Sequence, residues 1–238
     1  MRGIAICVLL AGVLGAQPRF EVATVRPTSE AEQASGSAGV TSGKGRYSGK
    51  NLTLKSYLMR SYGVAPNQIV GGPDWLDTAH WDIQAKAEQP IDDDDAIMEM
   101  VQTLLTERFH LTIRRDTRDM RAYVLEVAKN GLKATKSAPG AEYNTNYGRG
   151  KVEATGTTMP HLAQRLGRVL DLPVVDKTAV EGPFDFKLYW TPDGAKADPN
   201  SPPSIFTAIQ EQLGLKLTGT RVPVPVLVVV SAAKPGEN

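Results

Sequence analysis

Few residues in this chain have the type and spacing to do chemistry. Its three histidines, His80, His110 and His161, are spread over eighty residues with no HxxxH or HxxE spacing, so no zinc signature is present. Asp92-Asp93-Asp94-Asp95 is the densest acidic run. A calcium loop needs oxygen ligands around a tight glycine turn followed by glutamate, and that pattern is missing. Carboxylates directly ahead of a helix instead satisfy free N–H groups and the positive dipole end, so capping is the preferred role. Arg114, Arg115, Arg118 and Arg121, diluted by Asp116 and Asp119, offer either a small basic face for an anionic partner or a solvated strand pair; the second is preferred. There is no GxSxG elbow, Walker loop, dinucleotide fingerprint or CxxC motif. No cofactor and no metal are expected.

Gly71-Gly72-Pro73-Asp74-Trp75 is the candidate binding site. Two glycines free the backbone and the proline sets its exit, so the turn delivers a tryptophan at the end of a short strand. That ring is either a recognition platform or a lid on its own core, with Trp81 six residues on. The matching stretch further along, Asp176 to Gly182 (DKTAVEG), has no aromatic residue, so folding does not require one there.

Composition narrows the function classes. In 238 residues, Lys and Arg total 27 and Asp and Glu 26, which gives no electrostatic footprint for nucleic acid or a membrane surface. The one cysteine, Cys7, lies in an apolar N-terminal run (Ile4 to Leu14) behind Arg2, with small residues at Gly15 and Ala16. This reads as a signal peptide over residues 1–16, too short to span a bilayer. Export to the periplasm or the medium is expected, with no transmembrane segment, no disulfide and no cysteine nucleophile in what remains.

The elements that must position these residues occur twice. Gly45-Arg46-Tyr47 aligns with Gly150-Lys151-Val152, Thr53-Leu54 with Thr158-Met159 and Tyr57 with Leu162, at an offset of 105. Trp81-Asp82-Ile83 aligns with Phe184-Asp185-Phe186 at 103, and Leu111-Thr112-Ile113 with Leu215-Lys216-Leu217 at 104. Blocks in one order at nearly one offset point to a tandem duplication. Leu54, Tyr57, Leu58 and Tyr62 make a helical stripe, as do Met159, Leu162, Leu166, Val169 and Leu170. Ile97, Val101, Leu104 and Leu105 make the second stripe of copy one, and Ile205, Ala208, Ile209 and Leu213 that of copy two.

Each copy is expected to close with a strand pair: 111–115 with 122–128, and 215–218 with 226–231. The last of these strands is apolar on both faces and should be central. The fold class is α+β: a duplicated β-α-β-β-α-β-β module, each copy with two helices packed on a small sheet. The modules span 46–132 and 150–235, joined by a linker over 133–149. Ahead of them, 17–45 holds an extra strand (Phe20 to Val25) and a flexible Gly/Ser-rich loop (Glu30 to Gly45).

The stretches NLTLKSYLMRSYGV (51–64), QIVGGPDWL (68–76), LLTERFHLTIRRDTRDMRAYVLEVAKNG (104–131) and SIFTAIQEQLGLKL (204–217) resemble a secreted bacterial family of unknown function, expanded in soil Acidobacteria of the Solibacter type. The resemblance covers about residues 20 to 235, and in some relatives the same region follows a membrane metallopeptidase of the β-lactam-sensor type. It implies no catalytic residues, since none are established for that family. Each module, through its closing SIFTAIQEQLGLKL and VPVLVVV, is also similar to the short N-terminal domain of secretins and TonB-dependent receptors. That likeness implies a periplasmic protein-interaction role. The leading expectation is an exported, non-catalytic binding module for a protein, peptide or envelope polymer. The alternative is a secreted hydrolase whose site is assembled across the two modules.

Overall fold

The computed structural model describes residues 17–141, 143–195 and 201–236; the signal expected over 1–16 lies outside the described residues. The chain is α+β, and its strands form three four-stranded sheets. The first sheet contains β1 (Val22–Pro27), β2 (Gly39–Gly43), β3 (Arg46–Thr53) and β5 (His80–Lys86), in the order β1-β5-β3-β2. A second sheet of the same pattern contains β7 (Thr135–Lys136), β8 (Asn144–Gly148), β9 (Lys151–Thr157) and β11 (Phe184–Tyr189), in the order β7-β11-β9-β8. The segment read as a flexible loop therefore carries β2 and a short helix, α1 (Glu30–Ala34), closed by a Ser29–Glu32 capping box. The segment read as a linker supplies β7 and β8.

Helices follow where the apolar stripes require them. Thr53 caps α2 (Leu54–Tyr62), burying Leu54, Tyr57 and Leu58, and Thr158 caps α4 (Met159–Leu170), burying Met159, Leu162 and Leu166. In both, the threonine side chain accepts a hydrogen bond from the backbone N–H three residues on. Asp93 caps the fifteen-residue α3 (Asp94–Arg108) by accepting from the N–H groups of Asp95 and Ala96, which is the role expected of the acidic run. Its counterpart, α5 (Ile205–Ala208), is only four residues long and continues as a π-helical turn through Leu213.

The expected closing strand pairs do not form. Residues 112–127 are one continuous strand, β6 (Thr112–Val127), and residues 215–231 are another, β12 (Leu215–Ser231). They pair with each other, antiparallel, along their whole length, making a ribbon on the order of 50 Å long at the usual rise per residue. The first part of β6 thus faces the last part of β12, and the reverse at the other end. An offset of 104 residues carries Asp119 onto Pro223, and these two residues are paired, so an approximate two-fold axis passes between them.

Two short strands complete this third sheet. β4 (Ile69–Gly71) runs parallel to β12 at Leu227–Val229, and β10 (Val174–Asp176) runs parallel to β6 at Tyr123–Leu125. The order is β10-β6-β12-β4, so the apolar end of β12 is central, as its two-faced hydrophobicity requires. In the middle neither flanking strand reaches the ribbon, so Pro223 and Pro225 are tolerated there without a ladder N–H to donate.

Each half therefore completes its core with a strand from the other. The first core gathers Tyr57, Trp81, Ile83, Leu105 and Phe109 with Val229 of β12; the second gathers Leu162, Phe186, Leu188 and Leu215 with Leu125 of β6. Fully burying a side chain such as Leu125 contributes about 1.5–3 kcal/mol, so each exchanged strand end contributes materially to the stability of the opposite half.

Candidate functional site at the seam between the halves

The sequence of α4 carries two stripes. The apolar one enters the second core. The other, His161, Gln164, Arg165 and Arg168, has the i, i+3, i+4, i+7 spacing of a single helix face. This face lies against the first half, at the end of α2 and the first turn of α3.

Close contacts hold the seam. Gly63 ends α2 in the left-handed region with φ at 63°, and a Cβ there would stand 1.2 Å from Gln164 Nε2, so the amide of Gln164 fills the space a side chain would take. Arg168 Nη2 donates to the Arg60 carbonyl at 3.2 Å, a cation on the negative end of α2. His161 Nε2 lies 3.7 Å from Asp95 Oδ2, and the Tyr143 ring meets the imidazole edge-on with centroids 5.7 Å apart. Ser42 donates to Asp94 at 3.4 Å.

These contacts border two cavities that share His161 and Gln164. One, of about 250 Å³, is lined by Ser42, Tyr47, Arg60, Asp94, Asp95 and Tyr143 among others. The second, of about 270 Å³, lies toward Gly63, Gln68, Gly167 and Asp176. Two buried polar atoms here, Tyr47 Oη and His161 Nδ1, have no hydrogen-bond partner among the described residues. Tyr47 is only 2% exposed. Burial pushes its hydroxyl well above the usual tyrosine range, against a smaller opposing pull from Arg60, so it stays protonated and able to donate. A groove of about 650 Å³ on the first sheet, around Val22, Thr24, Arg46 and Gln84, is larger but more open and is built by one half alone.

The seam combines donors, acceptors and both signs of charge, which suits a polar ligand. Serine, histidine and aspartate are all present, yet among the described residues no hydrogen bond joins Ser42 to His161, the link a nucleophile and its base require. No group of three or more His, Cys, Asp or Glu side chains is arranged to hold a metal among the described residues.

The five residues singled out in sequence lie elsewhere. Gly71 and Gly72 have φ values of 74° and 86°, and a Cβ on Gly71 would come within 2.9 Å of the Val229 carbonyl, so the turn serves the docking of β4 on β12. Pro73 is half-buried and Asp74 exposed, opening a 3₁₀ turn over Asp74–Asp77. Trp75 is half-buried; its ring stacks on Phe109 at 6.4 Å and meets Trp81 edge-on at 6.4 Å. None of the five lines the seam cavities. Of the histidines, only His161 does; His80 lies in β5 and His110 is exposed just after α3. The arginine run lies on the ribbon, with Arg114 paired to Asp116 at 3.2 Å and Arg115 over the Tyr62 ring at 5.9 Å. The apolar stripe of α4 points only to its own core; the polar stripe His161, Gln164, Arg165 and Arg168 is the sequence signal for the seam.

Residues 55–232 match the family described as Protein of unknown function (DUF3738). The chain belongs to that family. The match runs from α2 to the end of β12, so it includes α2 and α3 of the first half, the sheet and helices of the second, and the exchanged ribbon, and it leaves out β1, α1, β2 and β3. No curated protein matches the chain, and no solved structure does. Among the described residues no helix is long and apolar enough to cross a membrane.

Proposed function

We propose that this chain is an exported, non-catalytic binding module whose ligand site is the seam, and that it engages a protein, peptide or envelope polymer. The observation that carries this reading is a cleft of about 250 Å³ walled by both halves, lined by Arg60, Asp94 and Asp95 from the first and by His161, Arg165 and Arg168 from the second. A concave site that gathers a few polar and charged groups is the usual setting for a bound ligand. Export rests on the signal-like residues 1–16.

We also infer that the two halves descend by tandem duplication. Supporting this are the shared element order and the repeated Thr caps. A third support is a hydrogen-bonded aspartate at the same place in each half. Asp82 accepts from Thr28 Oγ1 at 2.8 Å and from the N–H of Asn51 at 2.9 Å. Asp185 accepts from Ser137 Oγ at 2.5 Å and from the N–H of Gly156 at 2.9 Å. Asn51 and Gly156 both have positive φ, 53° and 67°, at the 105-residue offset.

The test is capture from envelope extract by the full chain and by a Gln164→Trp variant that fills the seam. Partners retained by the first and lost by the second, with the thermal midpoint nearly unchanged, support the reading. The same partners on both overturn it.

A further inference from the structure

We propose that the outer face of the first sheet binds an acidic sugar, its carboxylate between Arg46 and Lys86 and its hydroxyls along Thr24, Gln84, Ser48 and Thr41. This is a second site, and it does not rest on the reading of the seam.

Strand register places these residues together. Lys86 of β5 lies opposite Val22 of β1 on one side and Arg46 of β3 on the other, and Arg46 lies opposite Gly43 of β2. Two residues along, Gln84 lies opposite both Thr24 and Ser48, and Ser48 lies opposite Thr41. Side chains alternate between the faces of a sheet, so both rows share one face, and all eight residues line the groove of about 650 Å³. The second row crosses four strands, roughly 14 Å at the usual spacing, and lies about 7 Å from the first. The volume falls within the range of small-ligand sites.

The charge of the first row is unbalanced. Residues directly opposite on neighbouring strands have Cβ atoms about 5 Å apart, and like charges there repel. Neither Arg46 nor Lys86 makes an ion pair among the described residues. Glu21 and Glu88, next to the row in sequence, do not line the groove.

The second half presents the same face with its charges settled internally. Lys151, Glu153, Lys187 and Tyr189 stand at the positions of Arg46, Ser48, Gln84 and Lys86, in the same register. There Lys151 pairs with Glu153 at 3.4 Å, while Tyr189 replaces the second cation and donates to Glu153 at 2.5 Å. The outer strand β7 is two residues long and reaches neither row. One face is therefore narrow and self-compensated; the other is wider and leaves two cations for an outside anion.

The two rows together select the ligand class. A carboxylate fits between the cations, and the Arg46 guanidinium can take it through paired N–H groups. Hydroxyls and a primary amide both donate and accept, as sugar hydroxyls do. The side chains of Thr24, Gln84, Ser48 and Thr41 make no hydrogen bonds among the described residues. Val22, 58% exposed at the end of the first row, offers apolar cover for ring carbons. An inorganic anion would leave the second row unused. A peptide added as a strand needs free backbone groups, and those of β3 and β5 are taken up by ladders on both sides.

The experiment titrates the full chain with a trimer of galacturonic acid, followed by NMR of the Val22, Thr24 and Thr41 methyl groups. Saturable shifts are expected, at least about tenfold weaker for the methyl ester of the trimer, as loss of a charge-assisted contact implies. Inorganic phosphate should bind more weakly than the trimer by a similar factor. Ser48→Glu, which installs the acid of the second half, should weaken binding at least about tenfold with the thermal midpoint unchanged or raised. Thr24→Val should lower affinity for the trimer several-fold. Equal affinity for acid and ester, phosphate bound as tightly as the trimer, full binding by Ser48→Glu, or no saturable shift at about 10 mM would each overturn the assignment. Gln164→Trp fills the seam and should leave these shifts intact; their loss would move the sugar to the seam and overturn the site.

Discussion

The first and second halves share a backbone plan but fill it with different chemistry. Tyr47 and Tyr57 pack 6.4 Å apart in the first half, where Val152 and Leu162 stand at the same offset in the second. The difference propagates to the facing strand. A Cβ on Gly49 would lie 2.5 Å from the Tyr57 ring, whereas its counterpart Ala154 fits over the smaller leucine. Tyr57 also donates to the Trp81 carbonyl at 2.9 Å, a bond leucine cannot make. One backbone therefore tolerates an aromatic or an aliphatic core provided the partner strand compensates in volume. The seam shows the opposite behaviour: it joins non-equivalent surfaces, the end of α2 and start of α3 on one side and the polar face of α4 on the other.

The sharpest way to break the comparison is to cut the chain near residue 140. If each half needs the other's strand end, fragments 17–140 and 141–238 will each lack cooperative unfolding, and mixing will restore it. Circular dichroism and amide spectra of the separate and mixed fragments check this; a cooperative transition in either fragment alone would make the halves independent.

Next in size is the buried aspartate of the first half. Asp82 is 5% exposed and also pairs with Arg26 at 2.6 Å, so Asp82→Ala strands Thr28, the Asn51 N–H and the guanidinium together. A loss of about 3 kcal/mol is expected in urea unfolding.

The packing comparison gives a smaller, coupled effect. Gly49→Ala alone should cost about 1–3 kcal/mol by overpacking, and adding Tyr57→Leu should recover part of that cost, as Ala154 and Leu162 do naturally. Additive losses in a double-mutant cycle would deny the compensation.

The smallest effect sharpens the aspartate comparison through pH. The hydrogen bond from Ser137, and then that from the Gly156 N–H, hold the Asp185 carboxyl below the usual carboxylate range. Its contribution to stability is therefore present above the unfolded value of about 3.9 and is lost as pH falls through the lower folded value. Thermal midpoints measured from pH 7 down to pH 2 should fall less steeply below about pH 4 in Asp185→Asn than in the parent.

Much of the plan was legible because it is local. Threonine caps followed by apolar residues at helical spacing marked α2 and α4, and the Phe20-to-Val25 alternation foreshadowed β1. The hairpins expected within 111–128 and 215–231 failed for a non-local reason. Asp116, Asp119, Gly219 and Pro223 are turn-compatible residues, but a turn forms only where no better partner exists for the strand. Here each strand found one a hundred residues away, and backbone groups that would have turned were satisfied by the ladder instead.

The same division holds for the site. The residue types and the helical stripe His161, Gln164, Arg165 and Arg168 are written in the chain, because a helix's period determines which side chains share a face. The sequence also determined the α+β class, the two pairs of amphipathic helices and the central, two-faced hydrophobic strand. Tertiary structure alone decided that β6 and β12 cross between halves and that Tyr47 is sealed beside Arg60. It alone decided that α4 faces α2 and α3. Those arrangements depend on burial and pairing between segments distant in sequence, where each segment's periodicity says which face is apolar but not which surface will cover it.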